Sequence, residues 1–246
     1  MFNFFKNKKT SITAHFPSDF VDIHSHILPA VDDGSKSNEE SLALLKRMHS
    51  YGINNLILTP HIMESVWENS SFSLKNSFNK FNDYLKKVNF TEVHLQLAAE
   101  YMLDTNFNKL LKTEKLLTIK DSYLLVEMSY LSAPINLYET LFAIQIAGYK
   151  PILAHPERYA FYHNNYQEYF KLKEAGCLFQ LNLLSLSNYY GKEVAHIAKK
   201  LLKDHLIDFA GSDTHHDRHL NYLERIHTPS LIKLIQPVLD NNTVFK

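Results

Sequence analysis

The chain has 246 residues, 45% of them hydrophobic and 21% charged, which suits one α/β domain with a sizeable core. Lysine plus arginine balance aspartate plus glutamate at 26 each, so there is no basic excess to make nucleic acid an expected partner. A single cysteine, Cys177, excludes an intrachain disulfide and suits a reducing compartment, while 14 histidines stand out as unusual.

Met1-Phe2-Asn3-Phe4-Phe5-Lys6 places aromatics before lysines and lacks the apolar stretch of a signal peptide. Residues 1–19 are therefore expected as a flexible basic tail and 20–246 as one domain, cytoplasmic and without membrane insertion. Residues 20–23 form a short apolar run. Ser37 and Glu40 have capping-box spacing, and Leu42, Leu45 and Met48 follow at helical intervals. Gly52 then ends that helix, and residues 55–58 read as a buried strand. Residues 93–98 and 123–126 are further strands. The phrase of helix, glycine and apolar strand recurs at 143–154 and 172–181, and a last strand falls at 207–210. Seven strand-then-helix units in series, with no linker between them, predict a parallel sheet buried on both faces.

Polar chemistry stands at the end of nearly every run. The first is followed by His24-Ser25-His26, the second by Thr59-Pro60-His61, and the third and fourth by Glu100 and Glu127. The fifth is followed by His155-Pro156-Glu157-Arg158, and the last by Asp213-Thr214-His215. His-x-His on an extended segment puts both imidazoles on one side. The strand C-termini of parallel units face one way, so these residues converge, and donors from so many strands favour a barrel over an open sheet. Imidazoles and carboxylates suit zinc, iron or manganese, and this many donors imply more than one ion. Asp33, in the turn Asp32-Asp33-Gly34, is expected as a further ligand. Arg158 beside the mouth matches the geometry of a phosphate. Cys177 has Leu183, not arginine, six residues on, and there is no Gly-x-Ser-x-Gly elbow or Gly-x4-Gly-Lys loop, so metal-activated water is the expected chemistry.

The segments 22–34, 59–61, 154–158 and 212–215 resemble the PHP (polymerase and histidinol phosphatase) superfamily. Within it they resemble the CpsB/CapC/YwqE-type bacterial protein-tyrosine phosphatases, in order from about residue 20 to 220. The resemblance implies a distorted (β/α)7 TIM-like barrel of one domain and a centre of three Mn2+ or Fe2+/Fe3+ ions; Zn2+ also suits the donors. It implies hydrolysis of phosphotyrosine on the tail of a bacterial tyrosine autokinase that controls capsule or exopolysaccharide synthesis. Carried over, the metal ligands are His24, His26, Asp33, His61, Glu100, Glu127, His155, Asp213 and His215. Arg158 holds the phosphate with Arg218 as a second clamp, and His215 is also a candidate proton donor. The segment 211–220 is shorter around its arginine than the family pattern, which leaves His216 and His219 without a role. Tyr159 is expected to contact substrate, with Trp67, Phe72, Phe161 and Tyr162 on the same rim; exposed aromatics there are also compatible with a homo-oligomer. Three rival readings are a small-molecule phosphatase acting on a histidinol-phosphate-like monoester, a non-catalytic binding module stabilised by metal, and an amidohydrolase. The last lacks a strand-end lysine here.

Overall fold

The computed structural model describes residues 10–246. Each apolar run forms a strand beside the next, and helices return the chain between them. In order these are β1 (Val21–Asp22), α1 (Asn38–Ser50), β2 (Asn55–Leu58), β3 (His61–Ile62), α2 (Ser71–Lys87), β4 (His94–Leu97), β5 (Glu100–Met102) and α3 (Thr105–Thr113). Then come β6 (Tyr123–Glu127), α4 (Leu137–Ile146), β7 (Lys150–Ala154), α5 (Ala160–His163), α6 (Gln167–Glu174) and β8 (Leu178–Asn182). The chain finishes with α7 (Lys192–Lys203), β9 (Phe209–Gly211), α8 (Asp217–Leu223) and α9 (Pro229–Asn241). Ser37 caps α1 as its spacing predicts, accepting the Glu40 N–H at 3.2 Å. The Glu40 carboxylate turns back to the Lys36 N–H, not to that of Ser37. Gly52, Gly148 and Gly176 follow α1, α4 and α6 with φ near +80°, the left-handed turn that feeds the next strand.

All strand pairs are parallel. They fall into two sheets, β1-β2-β4 and β3-β5-β6-β7-β8-β9, where one continuous sheet of seven was expected. Two of the seven expected strands, 55–58 and 93–98, are each followed by a short second strand, β3 and β5. The first break is at Thr59-Pro60, where proline has no N–H for the ladder. The second, at Ala98-Ala99, lies opposite it, because Leu58 pairs with Leu97 and His61 with Glu100. The first and last runs meet beyond their strand ends. Ser25 and Thr214 form a parallel bridge, the His26 N–H donates to Thr214 O at 2.9 Å, and the Asp213 N–H donates to His24 O at 2.8 Å.

Strand residues alternate between two apolar cores. Leu124, Val126 and Leu153 join the larger one under the helices, and Leu125, Ile152 and Ala154 the smaller one, with Val21, Ile23, Ile57 and Phe209. Both faces of β6 and β7 are thus buried, as continuous apolar runs require, while the edge strand β4 is only partly covered. Residues 10–19, expected within the tail, belong to the folded domain. Ile12 is fully buried and its N–H donates to Ile226 O at 2.7 Å, while Phe16 packs on the core; burying these side chains docks the segment. Residues 1–9 lie outside the described residues. Among the described residues no helix is long and apolar enough to cross a membrane.

Candidate metal centre

Beyond β1 the chain stays extended, so His24 and His26 share a side, their Nε2 atoms 3.1 Å apart. Their Nδ1 atoms point outward, to Gln180 Oε1 at 2.7 Å and to Asp32 Oδ2 at 2.8 Å. Gln180 Nε2 donates to Leu181 O, which sets the amide's orientation. Carbonyl and carboxylate oxygens only accept, so each Nδ1 carries a proton and each Nε2 is the inward-facing nitrogen available to a cation. Asp32 also accepts the N–H groups of Gly34 (2.9 Å) and His61 (3.1 Å), tying the Asp-Asp-Gly turn to β3. Only glycine fits at 34, since a Cβ there would lie 1.9 Å from His26 O.

His61 opens β3, Glu100 opens β5 and Glu127 ends β6, while His155 follows β7 and Asp213 and His215 follow β9. Glu100 stands at the middle. Its Oε2 lies 3.2 Å from His24 Nε2, 3.3 Å from His26 Nε2 and 3.2 Å from His61 Nδ1. It is nevertheless buried without a hydrogen-bond partner. His61 Nδ1 and Glu127 Oε1, 2.9 Å apart, are orphaned in the same way, because their close approach lacks hydrogen-bond direction. Glu100 Oε1 faces His155 Nε2 at 3.0 Å.

All nine expected ligands fall in four overlapping donor groups, each with its atoms within 4.8 Å of one another. These are His26, Asp33, His61 and His215; His24, His26 and Asp213; His24, Glu100 and His155; and His61, Glu100 and Glu127. Buried polar atoms left unpaired cost several kcal/mol each, and a cation at their centre removes that cost. Imidazoles and carboxylates without thiolate are donors for first-row divalent ions, so the residues present fit the group.

The electrostatics ask for the same positive charge. Burial pushes the Glu100 carboxyl up, but His24 and His61 outweigh it and hold the group well below the usual range. Burial acts likewise on Asp213, where His24 and His215 prevail. Burial and His26 oppose protonation of His61, yet Glu100 and Glu127 lift it to about 9. His155 (φ +37°) and Asp213 (φ +49°) occupy the left-handed region without being glycine, local strain of the kind found where side chains are aimed at a site.

Asp213 joins the cluster to the arginine. Its Oδ1 lies 3.4 Å from Nε2 of both His24 and His26, and its Oδ2 accepts from Arg158 Nη1 at 3.1 Å and Asn182 Nδ2 at 2.6 Å. The Arg158 guanidinium sits against the rings of Tyr130 and Tyr190, 4.6 and 4.1 Å from their centroids. At the mouth Asp33 is half exposed, 3.5 Å from His61 Nε2 and 3.4 Å from His215 Nε2. His215 Nδ1 donates to Asp213 O at 2.9 Å, and the His215 N–H donates to His219 Nδ1 at 3.2 Å. His219 Nε2 then donates to Tyr189 Oη, and burial pushes its pKa down to about 3, so it is a neutral support for His215. A cavity of about 1000 Å³ opens over this cluster, with His61, His155, Arg158, Trp67 and Tyr130 in its wall.

Two expected substrate contacts lie elsewhere. Tyr159 is fully buried; its hydroxyl accepts the Met128 N–H and donates to Ala154 O, which makes it a core residue beneath the loop. Arg218 is exposed on α8 against Tyr189 and Tyr222 and is not in the cavity wall. Of the expected aromatic rim only Trp67 lines the cavity: Phe72 faces solvent and Tyr162 is buried. The orienting residues Asp32, Gln180 and Asn182 and the arginine's stacking partners Tyr130 and Tyr190 were not expected. Asp32 alone left a sequence signal, as the first acid of Asp-Asp-Gly.

The chain is 29% identical to tyrosine-protein phosphatase YwqE of Bacillus subtilis over 203 residues, 82% of this chain and 80% of that one. It is 32% identical to CapC of Staphylococcus aureus over 198 residues (79% and 76%) and 29% identical to tyrosine-protein phosphatase CpsB of Streptococcus pneumoniae over 201 residues (79% and 82%). Its fold matches a crystal structure from a study of YwqE and CpsB, described as unique metal-dependent tyrosine phosphatases. The TM-score is 0.82 at 27% identity, over 92% of this chain and 93% of that one. The sequence pattern of the family described as "Capsular polysaccharide synthesis, CpsB/CapC" matches residues 20–224, and the chain belongs to that family.

Proposed function

We propose that this protein is a metal-dependent protein-tyrosine phosphatase, a phosphoric monoester hydrolase acting on phosphotyrosine in the tail of a bacterial tyrosine autokinase of a capsule or exopolysaccharide system. The observation that carries the reading is Glu100 Oε2, ringed by three imidazole nitrogens at 3.2–3.3 Å and bonded to none of them, beneath an arginine that opens to a large cavity. The names and fold of the relatives support the ester class. The contact between Ser25 and Thr214 supports reading the two sheets as halves of one distorted (β/α)7 barrel. Catalysis in the cytoplasm suits a kinase-tail substrate.

The nine donors would hold Mn2+ or Fe2+/Fe3+, about three ions if each takes about three protein ligands. When bound, such ions supply Lewis acidity and a water acidic enough to attack at neutral pH. The protein's own residues do the rest. Gln180 and Asp32 fix His24 and His26 with their lone pairs inward. Arg158, held flat by Tyr130 and Tyr190, presents a guanidinium fork that clamps the phosphoryl oxygens and stabilises the charge they gain. Asp213 and Asn182 fix the arginine's reach. Tyrosine is a fair leaving group, with a pKa of about 10. His215 Nε2, at the mouth beside Asp33, would return a proton to it in the state where that nitrogen is not bound to an ion, which leaves the other eight donors for the metals.

The test compares a phosphotyrosyl peptide with histidinol phosphate after metal reconstitution, with and without a thiol alkylator. The peptide should be the better substrate. Alkylation should leave activity intact, because Cys177 is buried and burial pushes its thiol up to about 12. Preference for histidinol phosphate would replace the reading with a small-molecule phosphatase. Bound metal with no phosphoester turnover would replace it with a binding module. Loss of activity on alkylation, with metals retained, would overturn the metal chemistry.

A further inference from the structure

The cavity changes character with depth. Its floor is donors and Arg158, whereas its rim is apolar: Val66 and Trp67 from the loop between β3 and α2, and Leu131, Pro134 and Ile135 from the loop between β6 and α4. Val66, Leu131 and Ile135 are 59, 90 and 105% exposed. Single exposed apolar residues are ordinary, but several on one cavity wall mark a surface that something apolar covers. The loop carrying Leu131 and Ile135 is braced by Pro134 and by the Leu131 N–H, which donates to Ser129 Oγ at 3.2 Å.

The charges on this wall have one sign. Apart from the metal donors, Glu64 and Asp104 supply carboxylates. Arg158 is the one lysine or arginine among the described lining residues, and it is paired with Asp213. A phosphotyrosine with its phosphate at Arg158 leaves its neighbouring residues at the rim, since an extended chain advances only about 3.3 Å per residue.

Resting on the phosphatase reading, we propose that this rim sets substrate specificity: it selects phosphotyrosines with an apolar side chain within two residues and disfavours those with acidic neighbours. The occupant is the substrate peptide, because the apolar residues belong to the same cavity wall as the arginine that faces the phosphate.

The test uses the full-length, metal-reconstituted protein and three phosphotyrosyl peptides of equal length, with leucine, glycine or glutamate at the flanking positions. Wild type should give a leucine-to-glycine ratio in kcat/KM of about tenfold, equivalent to about 1.4 kcal/mol, which half-burial of one leucine supplies. The glutamate peptide should fall severalfold below the glycine one, by a margin that shrinks with salt. In the double variant Leu131→Ser/Ile135→Ser the leucine-to-glycine ratio should drop toward one. The ratio is internal to each protein, so a change in fold or metal content lowers both rates and leaves it readable. A wild-type ratio near one, with p-nitrophenyl phosphate turned over, overturns this inference and leaves the phosphatase reading standing. A raised ratio that survives the double variant also overturns it, as does loss of a dimer on the same substitutions with the ratio unchanged. No turnover of any phosphoester overturns both.

Discussion

Asp32 is not expected to touch metal or substrate, yet it accepts three hydrogen bonds at the site: from His26 Nδ1 (2.8 Å), the His61 N–H (3.1 Å) and the Gly34 N–H (2.9 Å). Asp32→Asn keeps the shape and converts one acceptor into a donor. With the amide oxygen toward His26 and His61, the Gly34 N–H faces an NH2 group and loses its partner, at a cost of about 1–3 kcal/mol of stability. His26 keeps its tautomer but loses a charge-assisted bond, which makes its inward nitrogen a weaker ligand. Changes of this kind cost roughly 10–100-fold in metal affinity or activity, or about 1.4–2.8 kcal/mol. The assay strips metal with a chelator and titrates Mn2+ back while following phosphotyrosyl-peptide hydrolysis. The half-saturation point should move up by that factor, with kcat at saturating metal close to wild type. Urea unfolding of the metal-free protein reads the stability part. A titration curve superimposed on that of wild type would refute the role given to Asp32.

Arg158→Lys keeps the charge but loses both the fork and the stacking on Tyr130 and Tyr190. It should lower kcat/KM by about 10–100-fold in steady-state kinetics, and undiminished turnover would remove Arg158 from the phosphate. Tyr159→Phe strips the buried Met128 N–H of its partner. Denaturation should show a loss of about 1–3 kcal/mol with kcat/KM near wild type, and the opposite pattern would return Tyr159 to the substrate. Burial, opposed by the bond from Ser185, raises Glu157 from 4.5 to about 7. Between those values the folded state keeps a proton that the unfolded chain has released. Its contribution to stability is therefore full below pH 4.5 and is lost as pH rises through 7, by at most about 1 kcal/mol per pH unit. Glu157→Gln should flatten that slope in denaturation series at stepped pH, and an unchanged slope would assign it to other groups.

The strand-end histidines and carboxylates were legible in the sequence because parallel βα repetition sends every strand's C-terminus to one side, and residue spacing alone reveals it. His24, His61, Glu100 and Asp213 could be placed together without knowing a single contact. The breaks at Pro60 and Ala98-Ala99 were harder. Proline announces a missing ladder bond, but nothing local marks the break opposite it, which comes from pairing across 39 residues between His61 and Glu100. The orienting shell was illegible for a related reason: Gln180 reaches His24 across 156 positions, and Asn182 reaches Asp213 across 31. Tyr159 and Tyr130 show the limit of reading loops. Both follow strand ends, and only three-dimensional packing decides that the first is buried under the loop while the second stacks on Arg158.

The orphaned atoms around Glu100 imply a cation, and the proposed chemistry depends on it. Elemental analysis of purified protein, joined to a phosphotyrosyl-peptide assay through chelation and metal add-back, tests it most directly. More than one ion per chain is expected, about three when the nine donors are filled, with activity lost on chelation and restored by Mn2+ or Fe2+. Full phosphatase activity in a chain stripped of metal, or an absence of bound ions under saturating Mn2+ and Fe2+, would contradict it.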